Sequence, residues 1–369
     1  MVSRARNLGG LMGTSSTLDV ADIANLGDLT GVDSYADSDA LALALVPIGT
    51  QAYQADTGSF KIYRGASGWA QMDEFPAAPT ATQAQGSISG YSSGGASTTW
   101  GLNTIDKFPF ASDGNATDVG DLTQARVGGA GQSSTTSGYT SGGHAPPEVN
   151  TIDKFPFASD GNASDVGDLT VARWAQAGQS SEVSGYNSAG RVGISVNPID
   201  KFSFASDANA TDVGDTFVAV RQGAGSSSTS HGYIAGGEDP SAKTNTIQKF
   251  SFAADANGTD VGDLTVAWVY NNAGQSSVAS GYTSGGIVGP ASNSIEKYPF
   301  ASDANATDVG DLTQARWGVV GQSSTESGYT SGGGDTINTI DKFSFSVDGN
   351  ATDVGDLTQG RYASAGQQV

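Results

Sequence analysis

An acidic loop that recurs six times holds the side chains most regularly spaced for chemistry. Its first copy, residues 113–121, reads DGNATDVGD, and the later copies begin at Asp160, Asp207, Asp255, Asp303 and Asp348. Counted from the first Asp of that copy, oxygen-bearing side chains stand at positions 1, 3, 5, 6 and 9. Ca²⁺ prefers hard oxygen ligands presented by a tight turn, so a calcium site is one hypothesis. Its candidate ligands in the first two copies are Asp113, Asn115, Asp121, Asp160, Asn162 and Asp168.

A second interpretation of the same loop needs no metal. Calcium loops of some propeller repeats read D-x-D-x-D-G-x-x-D, whereas Asn115, Thr117 and Asp118 stand at positions 3, 5 and 6 here. Asn, Asp, Ser and Thr side chains also cap hairpin turns, and the surplus carboxylates can face Lys and Arg of the repeat. The sequence leaves both interpretations open, and it indicates no other cofactor.

Residues suited to catalysis are few. The chain has no Cys and only two His, His144 and His231, which stand at different phases of the repeat. No G-x-S-x-G nucleophile elbow, in which the Ser stands at a turn from a strand to a helix, is predicted. The many carboxylates recur with the repeat, which favours a structural role over a general acid/base pair. We therefore predict that the protein is not an enzyme.

Departures from the repeat point to binding instead. They lie in the same loop of five of the six units, at residues 144–149, 191–198, 238–245, 287–293 and 334–337, where length and sequence vary. Variable loops on a constant scaffold are a common way to build a binding surface. The candidate ligand-binding residues in or near these loops are Trp100, His144, Arg191, His231 and Glu238.

The charge of the chain excludes one class of partner. A net charge of −21 and a sequence pI near 4.1 disfavour binding to a polyanion such as DNA. Most Lys and Arg residues recur at two positions of the repeat, which predicts pairing with nearby carboxylates rather than a free basic face. The first position holds Lys107, Lys154, Lys201, Lys249, Lys297 and Lys342, and the second holds Arg126, Arg173, Arg221, Arg316 and Arg361.

A tandem repeat fills the chain after its first fifth. The phrase I-[DEQ]-K-[FY] begins at residues 105, 152, 199, 247, 295 and 340, giving six copies 45 to 48 residues apart. Turn residues divide a unit into four strand candidates: a at residues 126–134, b around Tyr139, c at 151–158, and d with Val166 and Leu169. Alternation places Phe155 and Phe157 on one face of strand c and Ile152 on the other. The sequence therefore predicts an all-β, six-bladed propeller with four antiparallel strands in each blade.

The two ends of the repeat region predict a closed ring. The first b strand lies around Tyr91, whereas the last a strand follows Arg361 and has no b strand after it. The C-terminal strand should therefore pair with the Tyr91 strand and leave no open sheet edge. An open solenoid, the alternative, would not need this permuted end. The order of Arg, a Tyr before Gly142-Gly143, and an aromatic strand resembles the kelch repeat, although the late Trp of kelch is missing.

A different module precedes the ring, at residues 1–76, with a linker at 77–87 and the propeller at 88–369. We expect an N-terminal arm carrying Arg4 and Arg6, a short helix at residues 17–26, and two or three strands after Gly49. The segment at residues 49–72 resembles small hairpin units of bacteriophage virion proteins. It reads GTQAYQADTGSFKIYRGASGWAQM. The opening SRARNL resembles N-termini of structural and fibre-like proteins of marine, cyanophage-type phages.

The resemblance implies a virion protein whose N-terminal module docks to other virion proteins, with Arg4 and Arg6 in the docking arm. We expect a homo-oligomeric tail-fibre or appendage component that displays the propeller for attachment to a host-surface glycan or protein. A capsid decoration protein and a propeller-type carbohydrate-active enzyme are the alternatives. No secretory signal or membrane-spanning run is found in the sequence, so we expect synthesis in the host cytoplasm and no membrane insertion.

Overall fold

The computed structural model describes two units of the chain, within residues 1–80 and 81–369. The described residues are 34–35, 51–54, 59–63, 69–71, 85–239, 243–268, 272–287, 289–334 and 337–369. They contain no α-helix, and within them no helix is long and apolar enough to span a bilayer.

The N-terminal unit holds one four-stranded sheet. Its strands are β1 (Ser34–Tyr35), β2 (Gln51–Gln54), β3 (Ser59–Tyr63) and β4 (Trp69–Gln71). Strands β2, β3 and β4 pair antiparallel in chain order, and β1 runs parallel to β2. The strands predicted after Gly49 are thus present. The predicted helix at 17–26 and the arm with Arg4 and Arg6 lie outside the described residues.

Each repeat forms one blade of four antiparallel strands, named a to d from the ring axis outwards. In blade 2 they are β9 (Ala130–Ser133), β10 (Ser137–Ser141), β11 (Thr151–Pro156) and β12 (Ser164–Asp168). Because neighbouring strands alternate in direction, the b–c loops and the d-to-a connections share one face of the ring. The a–b and c–d turns share the opposite one. We call these the b–c face and the a–b face.

The other blades repeat this order. Blade 1 has β5 (Ser89–Ser93), β6 (Ala96–Ser97), β7 (Trp100–Pro109) and β8 (Thr117–Arg126). Blade 3 has β13 (Ala177–Ser180), β14 (Ser184–Ser188), a small hairpin of β15 (Arg191–Val192) and β16 (Ile194–Ser195), β17 (Pro198–Ser203) and β18 (Thr211–Asp215). Blade 4 has β19 (Ala224–Ser227), β20 (His231–Ala235), β21 (Thr244–Ser251) and β22 (Thr259–Trp268). Blade 5 has β23 (Ala273–Ser276), β24 (Ser280–Ser284), β25 (Ser294–Pro299) and β26 (Thr307–Asp311). Blade 6 has β27 (Val320–Ser323), β28 (Ser327–Ser331), β29 (Thr339–Ser344) and β30 (Thr352–Asp356).

The last strand, β31 (Ala365–Gln368), closes the ring as the a strand of blade 1. It pairs antiparallel with β5, with Gln367 opposite Tyr91, and β5 in turn pairs with β7. The chain is therefore a closed six-bladed β-propeller, and the prediction that the C-terminal strand joins the Tyr91 strand is confirmed.

The core lies between the blades, as the alternation in strand c predicts. Phe155 and Phe157 pack against Tyr91 and Ile105 of blade 1, while Ile152 packs against Phe202 of blade 3. Burying one such ring contributes roughly 1.5–3 kcal/mol. Gly138 leaves the space that Phe155 occupies, since a Cβ there would lie 2.3 Å from its ring. The same glycine and aromatic pair recurs in every blade.

One predicted strand boundary is wrong. Strand a of blade 2 begins at Ala130, whereas Arg126 ends β8, the outer strand of blade 1. The Arg side chain is buried and bonded to Asp153 of the next blade, so it anchors the connection between blades and does not start a strand.

Candidate ligand-binding face

A pair of backbone hydrogen bonds ties the entry of a blade to the first residue of its b–c loop. His144 donates to Val127 O at 2.8 Å and accepts from its N–H at 3.1 Å. The equivalent pairs are Trp174 with Arg191, Arg221 with Glu238, and Tyr362 with Ala96. In these four blades, the bridges bring residues from two variable positions of the repeat to the rim around the axis on the b–c face.

A continuous run of aromatic and cationic side chains crosses three blades on this face. The rings of Trp100 and His144 are 5.8 Å apart, edge to face, and His144 is again 5.8 Å from Trp174. Arg191 continues the run, with its guanidinium 5.5 Å from the Trp174 ring centre. On the other side of blade 1, Trp317 and Tyr362 lie 5.3 Å apart. The rim thus presents flat apolar surfaces with polar edges.

Trp100 has an unusual backbone as well as an exposed side chain. Its φ is +93°, and half of its surface (50%) faces solvent. A bulky residue in that region of backbone space carries strain, and so exposed an indole recovers little of it by packing. Strain held at an exposed aromatic residue is more often associated with function than with stability.

Charged side chains border the aromatic run. Arg221 donates from Nη2 and Nε to Glu238 Oε2 at 2.7 and 3.0 Å, and Ser195 Oγ of the blade 3 loop donates to the Glu238 carbonyl at 3.1 Å. His144 Nδ1 lies 3.9 Å from Glu148 Oε1. The face therefore offers donors and acceptors beside its rings.

The centre of the b–c face is a shallow axial cavity of about 100 Å³. Its wall consists of Gly, Ala and Val with Ser364 and the amide residues Gln176, Gln222 and Asn272, and it has no charged lining residue. The b–c face thus combines a rim of aromatic and charged side chains with a neutral centre that offers amide groups.

Arg221 reaches the rim because blade 4 departs from the repeat. At four junctions an Arg is buried against an Asp of the next blade, in the pairs Arg126–Asp153, Arg173–Asp200, Arg316–Asp341 and Arg361–Asp106. In blade 4 Val220 occupies that buried position, and Gln248 replaces the Asp. Arg221 stands one residue later, so the prediction that it shares the phase of the other four arginines is wrong.

Three of the five predicted binding residues, Trp100, His144 and Arg191, lie together in the aromatic run, and Glu238 lies on the same rim. His231 does not. It is the first residue of β20 and follows an a–b turn, so the antiparallel strand places it on the a–b face. Burial and the nearby Lys249 hold the pKa of His231 below its usual value, partly offset by Asp303. The prediction that it belongs to the variable-loop surface is wrong.

Sequence reasoning missed Trp174, Arg221, Trp317 and Tyr362. Each of the four is the residue directly after the buried position of a blade junction. Val127 is the other described residue at this place in the repeat. This variable position was a usable signal, but it becomes visible only once Val220, and not Arg221, is aligned with the buried arginines.

The predicted calcium ligands serve the contact between blades. Lys107 Nζ donates to Asp160 Oδ1 at 3.1 Å, and Asn162 Oδ1 accepts the N–H of Asp121 at 3.0 Å. Asp113, Asn115 and Asp168 take the same kinds of contact at the equivalent positions. Within the residues that the structure describes, no group of three or more His, Asp or Glu could hold a metal. The donor set therefore does not fit calcium. The loop instead stabilises the contact between its own blade and the preceding one.

Comparison with known proteins gives no relative on which to base a function. No family model matches the chain, and no curated protein matches it.

Proposed function

We propose that the protein is a non-catalytic binding protein whose b–c face attaches to a saccharide on a host surface. The observation that carries this proposal is the run of Trp100, His144, Trp174 and Arg191 across three blades. A sugar ring has apolar C–H faces and a polar hydroxyl edge, so it stacks on an aromatic ring while neighbouring polar groups bond its hydroxyls. The face supplies both, with Arg221 and Glu238 beside the neutral axial cavity.

We further propose that the propeller is displayed on a bacteriophage particle, as part of a tail fibre or appendage. The support is the resemblance of the N-terminal text to virion hairpin units and the short antiparallel strands β2, β3 and β4 within it. In this proposal the N-terminal unit contacts other virion proteins and the protein is a homo-oligomer. The attachment role then follows from the variable face of an otherwise regular ring.

Trp100→Gly is the most informative variant for the binding role. Glycine accepts φ +93° without strain, so the variant should fold at least as stably as the wild type while losing the exposed end of the aromatic run. We expect its affinity for host-surface polysaccharide fragments, measured by calorimetry on the full chain, to fall by about tenfold, which corresponds to roughly 1.4 kcal/mol.

The matched control is Val183→Ala, which removes an apolar side chain of 66% exposure in an a–b turn on the opposite face. It should bind as the wild type does. Equal affinity of the Trp100→Gly and wild-type chains, or equal losses in both variants, would refute binding through the b–c face. Release of shorter sugars during the assay would instead favour a carbohydrate-active enzyme.

The particle assignment has its own test. Gold-labelled antibody against residues 80–369 should mark fibre or tail tips on purified phage. Labelling spread over the capsid would indicate a decoration protein, and unlabelled particles would contradict the virion assignment.

A further inference from the structure

A ring of serine hydroxyls surrounds the axis near the a–b face, away from the aromatic run. Its members are the fourth residues of five inner strands, Ser133, Ser180, Ser227, Ser276 and Ser323, with Gln368 in the sixth place. Each of these serines is at least nine-tenths buried. Together with the neighbouring glycines they line an axial cavity of about 60 Å³.

Six glycines separate this cavity from the one on the b–c face. Gly131 lies so close to Gly366 that a Cβ on it would be 2.1 Å from the Gly366 carbonyl oxygen. The same close approach recurs around the whole ring. A Cβ on any of the other five glycines would lie 2.1 to 2.4 Å from a carbonyl oxygen of the neighbouring glycine, and these five are Gly178, Gly225, Gly274, Gly321 and Gly366. These six glycines are the only lining residues that the two cavities share, so an inference about the serine ring uses no side chain of the proposed binding face.

Each hydroxyl in the ring accepts a backbone hydrogen bond from the neighbouring inner strand. Ser133 N–H donates to Ser180 Oγ at 3.0 Å, and Ser180 N–H donates to Ser227 Oγ at 3.1 Å. The series continues through Ser276 and Ser323 at 3.0 and 2.9 Å, and Gln368 N–H donates to Ser133 Oγ at 3.0 Å. The oxygens are thus held in place, facing the same small space.

The protons of these five hydroxyls have no acceptor among the described residues of the protein. A serine hydroxyl has one proton to donate. In the hydrogen bonds of this ring, the Oγ atoms of the five serines act only as acceptors. A buried donor without an acceptor is costly. Accepting an N–H also polarises the O–H group and makes it a stronger donor.

We propose that the serine ring binds a small monovalent anion of halide size on the propeller axis. Five convergent O–H donors suit an anion, and the cavity is lined by Gly, Ser and Gln without a carboxylate that would repel it. The nearest acidic residues along the chain, Glu182 and Glu326, lie exposed in a–b turns, where water and salt screen their charge. A cation would lack the carboxylate ligands that hard metals prefer.

Anomalous diffraction tests the proposal directly. Crystals of the full chain soaked in sodium bromide should show a bromide peak on the axis, within hydrogen-bond distance of the serine oxygens. Parallel crystals soaked in rubidium chloride should show no rubidium peak there. A rubidium peak would overturn the proposal in favour of a cation site, and water density without bromide would overturn it in favour of a solvent cavity.

A stability assay in solution gives a second, independent result. Sodium chloride should raise the Tm of the wild type more than sodium gluconate does at equal ionic strength, because gluconate is too large for the cavity and ligand binding stabilises the folded state. The variant with Ser180→Ala and Ser227→Ala should bind chloride at least about tenfold more weakly, since a hydrogen bond to a charged group is worth that factor or more.

The matched control for that variant is Ser181→Ala. Ser181 is equally buried and next in sequence, but its hydroxyl donates to Ser184 O at 3.1 Å and belongs to the a–b turn. It should lower the Tm and leave the chloride dependence intact. An identical response of the wild type to chloride and gluconate would refute the anion site.

Discussion

Two junctions between neighbouring blades fill the same buried positions with different side chains, charged at one junction and neutral at the other. Between blades 1 and 2, Arg126 and Asp153 are buried as an ion pair, and Thr123 donates to the same carboxylate from N–H and Oγ at 2.9 and 2.7 Å. Between blades 3 and 4, Val220 packs with Ala177, Ala189 and Ile234, and the partner is the neutral Gln248.

The comparison teaches that the Arg and the Asp are replaced together at the junction of blades 3 and 4. At the junction of blades 4 and 5 only the Arg position changes, to Trp268, and Glu296 keeps a buried carboxylate that accepts hydrogen bonds from Thr265. Removing Arg and Asp together avoids leaving either charge alone in the interior, where an unpaired charge is far more costly than a missing pair. Burial lowers the pKa of Arg126, and the Asp153 carboxylate opposes this effect. In the neutral junction the cation reappears one residue later, as Arg221 on the b–c face.

The largest effect on the free energy of unfolding should come from replacing only one partner of a buried ion pair. Asp153→Asn leaves Arg126 buried without its carboxylate, and we expect a loss of about 3–5 kcal/mol in the free energy of unfolding. Urea denaturation followed by circular dichroism measures it. A loss below about 1 kcal/mol would show that water or a rearranged backbone compensates the guanidinium.

A double exchange should recover most of that loss. Arg126→Val with Asp153→Gln copies the blade 3 to 4 junction into the blade 1 to 2 junction, so no charge remains buried there. We expect its unfolding free energy to lie within about 1–2 kcal/mol of the wild type, as found for buried ion pairs replaced by apolar groups. If the double variant is as unstable as Asp153→Asn alone, the junctions are not interchangeable.

The displaced arginine should matter less for stability than the buried ones. Arg221 and Glu238 keep 17% and 25% of their side-chain surface exposed, so Arg221→Ala should cost about 0.5–1 kcal/mol in urea. The same variant should weaken saccharide binding on the proposed face. A cost comparable to that of Asp153→Asn would mean that the rim pair is part of the core.

The smallest effect should come from the exposed ion pair at the charged junction. Lys107 and Asp160 bridge the same two blades, but the Asp160 side chain is 57% exposed. Lys107→Met should change the unfolding free energy by about 0.2–1 kcal/mol, and the difference should shrink as salt rises. An effect that is large and independent of salt would contradict the distinction between the two ion pairs of this interface.

Much of the fold could be predicted because its determinants are local and repeated. The spacing of Ile105, Ile152 and their equivalents fixes the blades, and the permuted ends predict the pairing of Gln367 with Tyr91. The position of Arg126 could not be predicted, because its bond to Asp153 forms only when two blades meet. The kelch-like character of the repeat stays a prediction.

The candidate site was less predictable for a related reason. Trp100, His144 and Trp174 come from three blades, and their contact depends on how each loop folds over the rim. His231 was misassigned because its face depends on the direction of β20. The phase of Arg221 was mistaken because a shift of one residue is small in the sequence but moves a side chain from the interior to the surface.

The closure of blade 1 by β31 also means that the strands of this blade are synthesised at opposite ends of the propeller sequence. Strands β5, β7 and β8 are synthesised before every other blade, while β31, which pairs with β5, is synthesised after all of them. Until it emerges, blade 1 presents the edge of β5 without its inner neighbour, and an open strand edge can pair with other chains. The inner edge of β5 is therefore protected from such pairing only after β31 has been synthesised and has joined blade 1.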